Sequence, residues 1–210
     1  MYVPEAFRES DPRWLRRFIE RHPFGTLITS TGNGPLVTRL PLLCDDLDGL
    51  PTRLFGHLAR PNPQWRECDG QAAVAQFDGP HAYISATWYE ASDTVPTWNY
   101  ESVTVRGRLK TFDDPERLSV ELRRLAAKFE GGREEPWRFD SVSPERMASL
   151  LRGIVGIELE VTEVIGKRKL GQNHPHERRR KTIEALRRTG DHASIQVADR
   201  MQAALDEELS

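Results

Sequence analysis

Two clusters of turn formers, Thr31-Gly32-Asn33-Gly34-Pro35 and Asp78-Gly79-Pro80, each stand between β-rich runs, and they limit the fold more than any other feature of the chain. Gly25 to Ser30 precedes the first cluster and Leu36 to Leu43 follows it, while Ala72 to Phe77 and His81 to Ser85 flank the second. Connections this short join strands that run in opposite directions. Further strands are expected over 52–58, over 103–110 and over 153–165. In the second of these Val103, Val105 and Leu109 alternate with Thr104, Arg106, Arg108 and Lys110; in the third Ile157, Leu159 and Val161 alternate with Glu158, Glu160 and Thr162. Alternation of this kind marks a half-buried strand, and Glu158 and Glu160 read as its solvated face. Six or seven strands with no repeated βαβ unit favour a mainly β fold with α (α+β), an antiparallel barrel with a few inserted helices.

Helix starts are legible from caps. Ser10-Asp11-Pro12 precedes Trp14, Leu15, Phe18 and Ile19 at helical spacing, ending near His22-Pro23. Asp113-Asp114-Pro115 opens the longest helix, with an apolar face of Leu118, Leu122, Leu125, Ala126 and Phe129, and Gly131-Gly132 stops it. A shorter helix runs from Ser143-Pro144 to about Leu151. From Gly166 the composition turns basic, with Lys167-Arg168-Lys169 and Arg178-Arg179-Arg180-Lys181, and two helices follow, one through Leu186 and one over 193–209. The expected division is a barrel domain over 1–165 and a basic helical appendage over 166–210.

A net charge of −2 rules out a uniformly basic surface, so DNA contact would have to come from a local patch such as this tail. No helix-turn-helix pattern is present to strengthen that reading. Two cysteines, Cys44 and Cys68, form no metal or redox motif and suit a reducing cytoplasm. No apolar run approaches the ~20 residues a membrane span needs. The N-terminal MYVPEAFRESDPRW lacks the regions of a signal peptide and is expected to be mature.

The densest chemistry lies in Phe55 to Arg66, FGHLARPNPQWR. Leu54-Phe55 reads as the end portion of a strand, Gly56 allows close backbone approach, His57 and Arg60 supply polar heads, and Asn62-Pro63 has the cap and first-turn residues of a short helix. Amides at such a helix start, with Arg60 beside them, could hold a phosphate; the plainer alternative is a strand-to-helix corner with a surface arginine and a packed histidine. The preceding strand carries Thr38-Arg39-Leu40-Pro41, where Pro41 removes a backbone donor and marks a bulge or an edge. A loop ending in Val95-Pro96-Thr97-Trp98-Asn99-Tyr100 is unusually aromatic. A flat aromatic ligand bearing a phosphate would use all three features, and flavin mononucleotide (FMN) and AMP-like nucleotides both have that shape. His174-x-His176, with His57 and His81, lacks cysteine or carboxylate partners at ligand spacing, so metal is a weak reading. Nucleophile-elbow, Walker and dinucleotide-fingerprint patterns are absent.

Several blocks together resemble the PaiB-type FMN-binding negative transcriptional regulators. They are Met1-Tyr2-Val3-Pro4, Phe24-Gly25-Thr26-Leu27, Thr38-Arg39-Leu40-Pro41-Leu42, Gly56-His57-Leu58-Ala59-Arg60 with Asn62-Pro63-Gln64-Trp65, Gly79 to Ser85, Val95 to Tyr100, and Gly153-Ile154-Val155-Gly156 followed by Lys169-Leu170-Gly171-Gln172-Asn173. Gly171 departs from the Lys-Leu-Ser-Gln-Asn form of the last block. The resemblance implies a split antiparallel β-barrel like that of flavin reductases and pyridoxamine-phosphate oxidases, working as a homodimer with FMN in the subunit cleft. It places Thr38, Arg39, Leu40 and Pro41 along the flavin ring edge and His57, Arg60 and Asn62 near the phosphate. Trp98, Asn99, Lys169, Gln172 and Asn173 would reach the cleft from the partner subunit. A negative regulator is the function implied; an FMN-dependent oxidoreductase acting on a small substrate is the alternative that the barrel type allows.

Overall fold

A computed structural model describes residues 1–45 and 48–209. The strands are β1 (Arg8–Glu9), β2 (Phe24–Thr31), β3 (Gly34–Pro41), β4 (Leu43–Cys44), β5 (Arg53–Ala59), β6 (Ala72–Ile84), β7 (Thr97–Phe112) and β8 (Ile154–Lys169). The helices are α1 (Pro12–Arg21), α2 (Gln64–Glu67), α3 (Pro115–Glu130), α4 (Pro144–Arg152), α5 (His176–Thr189) and α6 (His192–Leu209). The sheet order is β3-β2-β6-β7-β8-β5-β4, with β1 paired to β8. No helix among the described residues is long and apolar enough to cross a membrane. The acidic, glycine-containing stretch Asp45 to Pro51 reads as a turn from its sequence, and it includes residues 46 and 47, which lie outside the described residues.

The chain forms two compact units, Ile19–Phe77 with Val105–Val164, and Met1–Phe18 with Asp78–Thr104 and Ile165–Ser210. The first is the barrel. β3 pairs antiparallel with β2 from Gly34↔Thr31 to Pro41↔Phe24, and β4 pairs with β5 through Leu43↔Phe55 and Cys44↔Leu54. The first and last strands of the sheet order are therefore one continuous stretch, residues 34–44, and the sheet closes on itself. Closure takes up β3 on one side and the start of β5 on the other through this continuous stretch. Leu27, Leu54, Phe77, Val105, Leu109, Ile157 and Leu159 are fully buried inside it.

The alternation expected in β7 is present from Val105 on, with Val105, Gly107 and Leu109 buried between exposed Arg106, Arg108 and Lys110, whereas Thr104, expected on the charged face, is buried. A Cβ on Gly107 would lie 2.2 Å from the Glu160 carbonyl oxygen, so only glycine fits there. Outside the barrel Arg106 pairs with Glu163 at 2.9 Å and Lys110 with Glu160 at 2.5 Å. Glu158 departs from the solvated face expected of it: it is buried and bonded to Arg117, whose guanidinium lies 3.8 Å from the Phe112 ring centroid. Helices α3 and α4 begin as their caps indicate. Asp114 accepts the Arg117 amide at 2.7 Å and Ser143 the Arg146 amide at 3.3 Å, each with proline in the first turn.

In the second unit β1 pairs with β8 through Arg8↔Lys167 and Glu9↔Gly166. Helices α5 and α6 pack Ile183, Leu186, Val197, Met201 and Leu205 onto Ala82, Ile84 and Tyr89. The tail expected to begin at residue 166 thus shares one core with residues of β6. Two local expectations change. Asp78-Gly79-Pro80 does not turn the chain, because β6 runs unbroken through it, and Gly79 admits Phe18, whose Cε2 would lie 2.9 Å from a Cβ there. The aromatic segment expected as a loop is the start of β7, with Trp98 exposed and Asn99 buried.

Candidate functional site

The corner after β5 is built by hydrogen bonds within the barrel unit. Arg60 donates its amide to the Gly153 carbonyl at 2.8 Å, its Nε to the Arg152 carbonyl at 2.7 Å and its Nη2 to the Ile154 carbonyl at 2.9 Å. Its Nη1 lies 3.6 Å from Asp113, so the guanidinium clasps the turn between α4 and β8. Asn62 Oδ1 accepts the Gln64 amide at 2.9 Å, which satisfies the first donor of the four-residue helix α2. The formal cap position falls on Pro63, one residue beyond the Asn62 that the sequence indicates. Asn62 Nδ2 donates to Thr38 Oγ1 at 2.9 Å, and Thr38 Oγ1 donates to Gln64 Oε1 at 2.6 Å. Gln64, fully buried, passes its own Nε2 to Thr29 at 3.0 Å and the Leu36 carbonyl at 3.3 Å. A buried glutamine whose side chain bonds Thr38, Thr29 and the Leu36 carbonyl is a centre of this site that sequence patterning did not single out; only its place beside Asn62-Pro63 pointed there.

Of the ring-edge residues, Arg39 is exposed, its guanidinium 4.8 Å from the Phe24 ring centroid and 3.3 Å from the Phe24 carbonyl. Leu40 is buried, and Pro41 is half-buried at the end of β3. His57 turns its ring toward an apolar cavity and makes no side-chain hydrogen bond among the described residues. Burial holds its pKa below the usual histidine value of 6.5.

The other unit holds the remaining residues. The Trp98 ring is 51% exposed, with His81 5.6 Å and Tyr83 6.1 Å from it centroid to centroid. Lys169 donates to Thr97 Oγ1 and to the Trp98 carbonyl, the latter at 2.7 Å, and its ammonium lies 6.0 Å from the Phe7 ring centroid. Burial, and then the charge of Lys167, lowers its pKa from 10.5. Gln172 bridges its own turn, accepting the Leu170 amide at 2.8 Å and donating to the Arg168 carbonyl at 2.7 Å. Asn99 is buried against Met201 and Asn173 is exposed. His81 and Tyr83 complete the aromatic surface; in the sequence they stood in the Gly79 to Ser85 block of the resemblance, and neither was assigned to the flavin site.

The basic tail is less open than its composition suggests. Arg179 is buried and bonded to Glu208 at 2.5 Å, and Lys181 pairs with Glu90 at 2.8 Å and Glu177 at 3.2 Å. Arg168 joins Glu9, Glu101 and Glu207 at 3.0 to 3.3 Å. Among the described residues no group of three or more histidine, cysteine, aspartate or glutamate side chains could hold a metal ion.

Each unit, taken by itself, offers groups that suit part of a flavin nucleotide. The barrel unit has the Asn62 amide and the exposed guanidinium of Arg39 as donors, and the other unit has an open indole, a phenol ring and an ammonium. Such groups match a phosphate-bearing chain and a flat ring respectively.

Comparison with known proteins agrees. A family described as "Putative FMN-binding domain" matches residues 1–163. The chain is 33% identical over 210 residues, the whole of both chains, to "Protease synthase and sporulation protein PAI 2" of Bacillus subtilis (strain 168). An uncharacterized protein of Aspergillus fumigatus is 26% identical, covering 94% of this chain and 95% of that one. Among solved structures, the flavocytochrome Anf3 of Azotobacter vinelandii aligns with a TM-score of 0.61 at 14% identity, covering 84% of this chain and 77% of that one. The FAD and heme binding protein of Mycobacterium smegmatis aligns with a TM-score of 0.62 at 15% identity, covering 82% of this chain and 78% of that one. The closed antiparallel barrel is the fold those structures share, and the matches over residues 1–163 and over the full length show that this chain belongs to the PaiB-type family of FMN-binding split-barrel proteins.

Proposed function

We propose that the protein is a homodimeric, cytoplasmic flavoprotein that represses transcription, with FMN held between Thr38, Arg39 and Asn62 of one subunit and Trp98 and Lys169 of the partner subunit. The observation that carries this reading is the open Trp98 indole together with the Lys169 ammonium, which is anchored on the Thr97 hydroxyl and the Trp98 carbonyl. Two of the three Lys169 donors are engaged by Thr97 and the Trp98 carbonyl, which leaves one for a ligand oxygen. In this reading Arg60 keeps the corner in shape, and Gln172 and Asn99 shape the turn and the strand behind the ring. When bound, FMN supplies a ring that takes up and returns electrons. The regulator function follows the resemblance to the family as a whole; within the tail, exposed Arg180 and half-buried Arg178 are the cations best placed for DNA phosphates.

Titration of FMN into flavin-free protein should quench flavin fluorescence at micromolar concentration, and Lys169→Met should weaken binding about tenfold if one charge-assisted contact is lost. Sedimentation of the same sample should give twice the chain mass. Absence of quenching would sink the flavin part, and a monomer binding FMN at full affinity would sink the shared site. Steady NADH or NADPH oxidation by the FMN-loaded protein, without retardation of any promoter DNA, would favour the oxidoreductase alternative.

A further inference from the structure

Helix α3 carries a longer apolar stripe than the barrel covers. Leu118, at its start, is buried, whereas Leu122, Leu125 and Ala126 are half-buried and Phe129 is 43% exposed. These residues do not face open solvent on all sides. With Trp137, Phe139, Met147 and Leu150 they line an open-mouthed cavity of about 430 Å³ that His57 and Ile154 also line. A space of that size lies in the range of small-molecule sites, which are concave and apolar with few polar groups.

The polar groups of the lining decide what it can take. Glu130 is engaged, its Oε2 accepting the Trp137 amide at 2.9 Å and lying 3.4 Å from Arg133 Nε. His57 is not: its ring has no hydrogen-bond partner among the described residues, and its depressed pKa keeps it neutral near pH 7, with one N–H donor and one acceptor nitrogen. No lysine or arginine lines the cavity, so a buried anion would find no counter-charge. We propose that this cavity binds a neutral aromatic molecule of about two fused rings that bears one hydrogen-bonding group, with His57 as its polar contact. The apolar walls take the rings, and the imidazole fixes their orientation. The site lies wholly within the barrel unit and does not depend on the flavin reading.

The test uses the full chain loaded with FMN and two probes of nearly equal shape, 2-naphthol and 2-methylnaphthalene, followed by calorimetry. 2-Naphthol should bind at micromolar concentration and 2-methylnaphthalene about tenfold more weakly, because the methyl group leaves the imidazole unpaired. His57→Phe should reduce that preference to below about twofold, and Ala126→Trp, which fills the cavity, should abolish binding of both while FMN affinity is retained. Equal affinity for the two probes in the unmodified chain, or no binding of either by folded protein, overturns the proposal. So does displacement of 2-naphthol by FMN, which would make the cavity part of the flavin site, or conversion of a dimer to a monomer by Ala126→Trp, which would make a second copy its occupant. Haemin that binds with a Soret band lost in His57→Phe and excludes 2-naphthol overturns the ligand class. Protein that binds 2-naphthol but leaves flavin fluorescence unquenched fails the flavin reading alone.

Discussion

Replacing Arg60 by alanine separates two tasks that one side chain could perform. The guanidinium donates to the carbonyls of Arg152 and Ile154 at 2.7 and 2.9 Å, and its side chain is 33% exposed. Hydrogen bonds to a charged group contribute about 1.5–3 kcal/mol each when buried. Arg152 is exposed, so water can take over its carbonyl, and the 3.6 Å approach to Asp113 adds little at the surface. The expected cost of Arg60→Ala is therefore about 2–3 kcal/mol, or a fall of roughly 4–12 °C in Tm for a chain of this size. Arg60→Lys should recover part of it, since one ammonium cannot span both carbonyls in a planar fork. Urea unfolding and FMN titration on the same three proteins give the answer. Stability unchanged within about 0.5 kcal/mol, combined with a tenfold or greater loss of FMN affinity, would refute the clasp and return Arg60 to direct contact with the phosphate.

Two further outcomes are expected. Gly107→Ala should destabilise by more than about 3 kcal/mol, because its Cβ would lie 2.2 Å from a backbone oxygen that cannot rotate away, and near-wild-type unfolding would show that β7 and β8 can separate there. His57 has a folded pKa below 6.5, so as pH falls through about 6.5 the unfolded chain takes up a proton that the folded chain does not, and stability declines with acidification. Unfolding midpoints at pH 7.5 and 5.5 should converge in His57→Phe relative to the unmodified chain, and an undiminished difference would mean that the acid sensitivity lies elsewhere, as at His174, whose pKa is also lowered.

What could be read from the sequence was what residues decide with their immediate neighbours. The starts of α3 and α4 follow from Asp114-Pro115 and Ser143-Pro144, and the face of β7 from the alternation around Gly107. Asp78-Gly79-Pro80 misleads because the reason for its glycine is an aromatic ring from α1, which no local pattern contains. The burial of Arg179 within a basic run has the same origin, since its partner Glu208 lies at the far end of α6. Gln64 looks like an ordinary surface glutamine until β2 and β3 are folded over it. His57 was read beside Arg60 as a polar head, whereas most of its cavity wall comes from α3, α4 and the segment joining them, far along the chain.

The way the two units are cut from the chain sets an order for their completion during synthesis. Every strand that closes the barrel has been made once Val164 leaves the ribosome, so that unit can fold while translation continues. Its companion must wait. Glu9 and Glu101 precede Arg168 in the chain and can meet it at once, but Glu208, the carboxylate that neutralises Arg179, is made only at the end of α6. Until α6 emerges, a finished barrel therefore stands beside a unit whose buried Arg179 still lacks its carboxylate, and the arrival of that helix is what completes the second core.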